Sequence, residues 1–253
     1  MKVIFLGTGT STGVPVIACN CEVCRSTNPK NQRLRSSVYI ESEKTKLVID
    51  TGPDFRMQML SQKLTDIDAV VFTHNHKDHT GGLDDIRPIN FINKKVIDVY
   101  AELYVQKTLK MEYPYIFHDQ DYPGVPQINL HTIDENPFSI GDLDIIPIRV
   151  MHKNLPVLGY RIGDFTYITD ANYIAPEELE KIKGSKYLVL NALRIESHYS
   201  HFSLSEALEM IKIIQPEKAY LTHISHHMGF YEEVEKSLPE NVFLAYDGLT
   251  FEI

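Results

Sequence analysis

The chain has 253 residues and a formal net charge of −9, from 34 acidic and 25 basic side chains. That balance argues against broad, sequence-independent binding of nucleic acid, which needs lysine and arginine to meet phosphates. No apolar stretch reaches the length of about 20 residues that a membrane-crossing helix needs. No linker, repeat or low-complexity tract divides the chain, so residues 1–253 are expected to form a single domain.

Met1-Lys2-Val3-Ile4-Phe5-Leu6-Gly7 reads directly as a strand, with no signal-peptide cleavage site in view. The expectation is a soluble, cytoplasmic protein. Gly7-Thr8-Gly9-Thr10-Ser11-Thr12-Gly13 lacks the Gly-Lys-Ser/Thr of a phosphate loop, and no helical pattern starts there. It reads as a turn whose glycines permit close backbone approach. All three cysteines follow in one run, Cys19-Asn20-Cys21-Glu22-Val23-Cys24. An odd number so tightly packed cannot build a disulfide framework, but it suits one structural zinc closed by a fourth ligand from elsewhere.

Leu47-Val48-Ile49 is a short strand ending on Asp50, and residues 54–63 read as a helix. Ala69-Val70-Val71-Phe72 is a strand of buried type, and it runs straight into His74-Asn75-His76-Lys77-Asp78-His79. His74 and His76 can reach one metal from the same side of an extended segment. Asp78 and His79, further round the loop, can reach a second beside it. Imidazole with carboxylate suits zinc, manganese or iron. Residues 86–129 are rich in Tyr, Phe, Ile and Pro and read as core, with a substrate wall, a lid or a homodimer contact as alternatives. His118 and His131 are given no role.

Two metals need more ligands than one loop supplies, and three later strands end on suitable side chains. Residues 144–152 end on His152, residues 165–170 on Asp170 and residues 218–223 on His223. A strand terminus holds a ligand stiffly, whereas a free loop must first be ordered. Ser203-Leu204-Ser205-Glu206 offers a capping box for a helix over 204–215 that Pro216 ends. His201 lies just before that helix start, a favourable place to meet an anion. His226, three residues beyond His223, is the first choice for the fourth ligand of the cysteine zinc, with His227 second.

His74-X-His76-X-Asp78-His79, followed in order by His152, Asp170 and His223, resembles the metallo-β-lactamase fold superfamily over nearly the whole chain. The resemblance implies a four-layer αββα sandwich of α/β class. It also implies one divalent metal on His74, His76 and His152 and another on Asp78, His79 and His223. Asp170 would bridge them, and Asp50 would orient the histidine loop from behind. The cysteine run, with Leu221-Thr222-His223-Ile224-Ser225-His226, resembles the cyclic-phosphate phosphodiesterase branch of that superfamily. That branch implies a structural zinc on Cys19, Cys21, Cys24 and His226, and a histidine facing the substrate phosphate. His201 matches that position best, and His198 lies close by.

The expected reaction is hydrolysis of a small cyclic phosphate or related phosphodiester, by a hydroxide held between two divalent ions about 3.5–4 Å apart. Asp78, Asp170 and His201 are expected to carry it. Other hydrolases of the superfamily are the alternatives: a thioesterase, a lactonase, a protein like those of the pyrroloquinoline-quinone pathway, or a transfer-RNA 3′-end endonuclease. The last normally carries a basic, glycine-rich arm, which is not seen here. A small phosphorylated substrate is therefore expected rather than nucleic acid, and no membrane.

Overall fold

The computed structural model describes residues 1–117 and 124–253; His118 lies outside them. The Val-, Ile- and Leu-rich runs pair into two sheets. In the first, the spatial order is Thr250–Glu252, Lys2–Gly7, Ser37–Glu41, Lys46–Ile49, Ala69–Val71, Ile97–Ala101 and Ile128–Thr132. In the second it is Tyr173–Ile174, Leu143–His152, Leu155–Ile162, Phe165–Ile168, Tyr187–Asn191, Lys218–Thr222 and Val242–Leu244, with Phe138–Ile140 paired to Leu143–His152. Each sheet is part antiparallel and part parallel.

The parallel strands are apolar on both faces because each sheet is covered on both sides. Phe5, Val38, Ile49 and Val71 meet Leu158, Tyr160, Tyr167 and Val189 between the sheets. Met59, Ile86, Val105 and Leu109 cover the outer face of the first sheet, and Ala207, Ile211, Ile214 and Val234 cover that of the second. This is the expected four-layer αββα sandwich. Both expected helices form, as Phe55–Ser61 and Leu204–Ile214. The second opens on a reciprocal capping box between Ser203 and Glu206. Within residues 86–117, Val105, Leu109 and Tyr113 are buried against the first sheet, which favours the core reading of that segment.

In open α/β sheets, ligands bind beyond the carboxyl ends of the strands. Here the two sheets are tied together at that edge. Leu158 N–H donates to the Thr73 carbonyl at 3.0 Å, and the Tyr160 hydroxyl donates to the Phe72 carbonyl at 2.6 Å. Arg149 of the second sheet makes a two-pronged contact with Glu102 of the first, at 2.8 and 2.6 Å. The histidine loop that follows Phe72 is therefore anchored to both sheets.

Candidate metal centre

Asp50, Asp170 and His223 each sit one or two residues beyond the end of a parallel strand, at φ of 64°, 56° and 56°. The left-handed region is sparsely used outside glycine, and such residues cluster at functional sites. In each case the chain turns abruptly as it leaves the sheet, and the side chain is buried. Gly52 completes the arrangement. A Cβ there would lie 2.1 Å from the Asp78 carbonyl oxygen, so only glycine lets the two segments touch.

The expected residues converge. The His74 and His76 ring centroids are 4.6 Å apart, and His76 and His152 are 5.1 Å apart. The ligand atoms of Asp78, His79, Asp170 and His223 all lie within 4.8 Å of one another. Asp170 is the hub: its Oδ2 is 3.2 Å from both His79 Nε2 and His223 Nδ1, and its Oδ1 is 3.1 Å from His201 Nε2. His201 also groups with His152 and Asp170 inside the same 4.8 Å limit. The structure thus sets this imidazole among the metal-capable side chains, in addition to its position before the helix. His198 stands further out, with its ring centroid 5.2 Å from that of His201.

Hydrogen bonds behind the rings decide which nitrogens face inward. His79 Nδ1 meets Asp50 Oδ2 at 2.7 Å, and His152 Nδ1 meets the Ser200 carbonyl at 2.8 Å. A ring that donates from Nδ1 keeps a lone pair on Nε2. Asp50 is saturated, accepting also from the Thr73 amide and hydroxyl at 2.8 Å each. Nε2 of His74 is buried without a hydrogen-bond partner. A buried polar atom left unpaired is costly, and a bound cation would satisfy that nitrogen.

The electrostatics agree. Burial pushes the imidazoles of His74, His152 and His223 down, the last to about 4, which favours the neutral form that ligates. Burial acts against the charged carboxylate of Asp170, yet His223, His79 and His201 around it hold that group well below the usual range. Burial likewise opposes a charged His79, but Asp78, Asp170 and Asp50 together hold it well above its ordinary value. Three buried or nearly buried carboxylates converge with no lysine or arginine paired to them among the described residues. That donor set fits divalent metal ions.

The cysteine run forms a separate centre. The structure brings His226 to the cysteines: its Nδ1 lies 3.4, 3.3 and 3.5 Å from the sulfurs of Cys19, Cys21 and Cys24. His227 does not join the group. The Val16 amide points at the Cys24 sulfur and the Cys24 amide at the Cys21 sulfur, each at 3.4 Å. Amides aimed at sulfur favour thiolate, and three thiolates with one imidazole suit a closed tetrahedral zinc.

The pattern for the beta-lactamase superfamily domain matches residues 45–224. A solved diphosphatase of the PhnP family aligns over 100% of this chain and 97% of its own, with 36% identity and a TM-score of 0.93. The chain belongs to the beta-lactamase superfamily, in the PhnP family. Zinc-bound PqqB from Methylobacterium extorquens shares the superfamily fold at 17% identity, with full coverage of both chains and a TM-score of 0.82. An octanoyltransferase of Porphyromonas gingivalis is 40% identical over 98% of this chain, but the chain spans only 51% of that protein's length.

Two features of this superfamily member escaped the sequence. Thr10 and Ser11, from the glycine-rich turn, line a cavity of about 350 Å³ together with Leu193, His198, Tyr199 and six of the metal-capable residues, His74 and His79 lying behind it. The Thr10 hydroxyl is 3.1 Å from His223 Nε2 across a separation of 213 residues. The only local signal was Gly9, whose Cβ would fall 2.9 Å from Arg33. No helix among the described residues is long and apolar enough to cross a membrane.

Proposed function

We propose that this chain hydrolyses a phosphodiester or related phosphoryl bond in a small substrate, with two divalent metals at the strand edge. His74, His76 and His152 would hold one, Asp78, His79 and His223 the other, and Asp170 would stand between them. The observation that carries the reading is the convergence of His76, Asp78, His152, Asp170, His201 and His223 on one cavity whose lining holds no lysine or arginine. Divalent ions bound there supply Lewis acidity toward phosphoryl oxygens and make water acidic near neutral pH. Zinc, manganese and iron all suit these donors. A third metal, a structural zinc, would sit on Cys19, Cys21, Cys24 and His226 and pin the N-terminal loop beside the site.

The chain's own residues supply the rest. Asp50 fixes the His79 ring, the Ser200 carbonyl fixes His152, and Thr10 steadies His223. His201 lines the cavity with Nε2 toward Asp170, which sets its ring beside the space a substrate would fill. From there, if protonated, it would stabilise the reacting oxygens or give its proton to the leaving alkoxide, a contribution of about 10²–10⁴-fold in comparable sites.

Likeness to a PhnP-family diphosphatase supports phosphoryl chemistry. Acyl transfer finds little support: the octanoyltransferase is about twice as long as this chain, and the cavity is walled by His, Asp, Ser and Thr. An eight-carbon chain needs apolar walls, and among the lining residues only Leu193 and Tyr199 offer them. Nucleic-acid substrates, suggested by a 25% identical exodeoxyribonuclease of Streptococcus pneumoniae, are disfavoured by the charge of −9.

The test is steady-state hydrolysis by metal-replete protein of 5-phosphoribosyl 1,2-cyclic phosphate, a 2′,3′-cyclic nucleotide and bis(4-nitrophenyl) phosphate. Preference for the ribosyl compound supports the cyclic-phosphate reading. Turnover of the nucleotide alone keeps the reaction and changes the substrate class. Inertness toward all three overturns the proposal.

A further inference from the structure

The cysteine centre and the strand-edge site share two segments of chain. His226 stands three residues beyond His223. Residues 8–28, which form neither helix nor strand, carry the three cysteines and also Thr10, whose hydroxyl is 3.1 Å from His223 Nε2. We propose that a metal at the cysteine centre and the metal on Asp78, His79 and His223 bind cooperatively, each strengthening the other, with no direct link to the metal on His74, His76 and His152. The inference rests on the two-metal reading of the site.

Three observations support it. First, the cysteine loop has little else to hold it. Residues 15–23 are exposed or half-buried, and Ile17 is 93% exposed. Among the described residues, the hydrogen bonds of residues 16–24 stay within residues 16–26, apart from the approach of the three sulfurs to His226. Ordering such a loop costs conformational entropy that burial does not offset, so metal binding there fixes the loop and His226 together. Second, the segment on the far side of that junction is tightly held. The Ile224 amide donates to the Thr8 carbonyl at 2.9 Å, and the Ile224 carbonyl accepts from the Thr10 amide at 3.1 Å. The Ser225 amide donates to the Leu193 carbonyl at 2.9 Å, and Ile224 and Ser225 are both buried. A close-packed segment transmits a displacement of His226 to Thr10 and His223 instead of absorbing it. Third, His223 needs support from both sides, because at φ 56° it holds a conformation that residues other than glycine adopt rarely. The strand Lys218–Thr222 fixes it from one side and residues 224–226 from the other. The three-histidine side has no such tie. His74 Nδ1 meets the Thr73 hydroxyl and His152 Nδ1 the Ser200 carbonyl, neither of which belongs to the cysteine loop or to residues 223–226.

The test titrates metal-free protein with cobalt(II) against a competing chelator. Thiolate-to-cobalt absorption reports the cysteine centre, and metal content per chain counts every site. Cys21→Ser should weaken the ion on Asp78, His79 and His223 by at least about fivefold, and Cys21→His, which keeps four ligands at the cysteine centre, should recover most of it. Coupling is reciprocal, so His223→Ala should weaken cobalt at the untouched cysteines by a comparable factor. In the His223→Ala background, Cys21→Ser should leave the remaining strand-edge ion unchanged. Equal strand-edge affinities in wild type and Cys21→Ser, or a thiolate signal indifferent to His223→Ala, overturns the coupling alone. A loss of the remaining ion on adding Cys21→Ser to His223→Ala points to general disruption of the site and also overturns it. Wild-type protein that takes up cobalt only at the cysteines overturns the two-metal reading and this inference with it.

Discussion

The carboxylate of Asp50 and the ring of His79 meet at 2.7 Å, Oδ2 to Nδ1, with both side chains fully buried. This contact links the end of one strand to the loop that leaves its neighbour, and it dictates which imidazole nitrogen is available to the site. Because Asp50 also accepts two bonds from Thr73, one carboxylate orients both the start and the end of the histidine loop.

Asp50→Asn should therefore weaken metal binding without deleting any ligand. An amide oxygen cannot accept three donors as a carboxylate does, and loss of such supporting contacts typically costs about 10–100-fold in metal affinity. Chelator competition, read with metal content, measures it. An affinity equal to wild type would mean that Asp50 serves the fold and not the ligands.

Gly52→Ala should be more damaging than a surface Gly→Ala, although no unusual φ is involved. Its Cβ would fall 2.1 Å from the Asp78 backbone oxygen, so the segment bearing Asp78 and His79 must move. Loss of metal together with a lowered unfolding midpoint is expected. A fully loaded variant of normal stability would show that the loop yields at no cost.

The cysteines should differ in reactivity once metal is stripped. Hydrogen bonding to His226 lowers the exposed Cys21 thiol to about 6, whereas burial pushes Cys24 up to about 11. Since thiolate is the reactive form, alkylation at Cys21 should rise as pH increases through about 6, with Cys24 inert until much higher pH. Mass spectrometry of iodoacetamide-treated, chelated protein tests the order; metal-loaded protein should be protected. Cys21→Ser should bind one equivalent of zinc fewer than wild type.

Stability should carry a pH signature remote from the metal centre. Burial raises the Asp247 carboxyl to about 6, against the opposing pull of the Leu34 amide, the Thr8 hydroxyl and nearby Arg33. A carboxyl whose folded value exceeds its model value of 3.8 contributes stability that is complete below about 4 and is lost as pH rises through about 6. The stability of wild type relative to Asp247→Asn, from denaturant midpoints, should thus decline between pH 4 and 7. A difference flat across that range would contradict the assignment.

Much of the site was legible because its metal-capable residues terminate apolar runs. His74 to His79, His152, Asp170 and His223 each end a strand that periodicity finds, and the cysteine run identifies itself by spacing alone. The αββα layering followed from the same runs and from the family resemblance. What stayed hidden depends on segments far apart in the chain. The contact of Thr10 with His223 spans 213 residues, and the Leu34 amide reaches Asp247 across the same separation. His201 was singled out for its place before a helix; its contact with Asp170 exists only once the second sheet has formed.

The cysteine centre joins residues near one end of the chain to His226, 207 positions after Cys19. Its sequence separation has a consequence for biosynthesis. A nascent chain that has emerged as far as the His74–His79 loop presents thiols and imidazoles whose partners have not yet been made. Neither centre can close until residues 223–226 leave the ribosome. Metal acquisition at either centre would therefore have to follow synthesis of residues 223–226 and the long-range strand pairing that brings them to their partners.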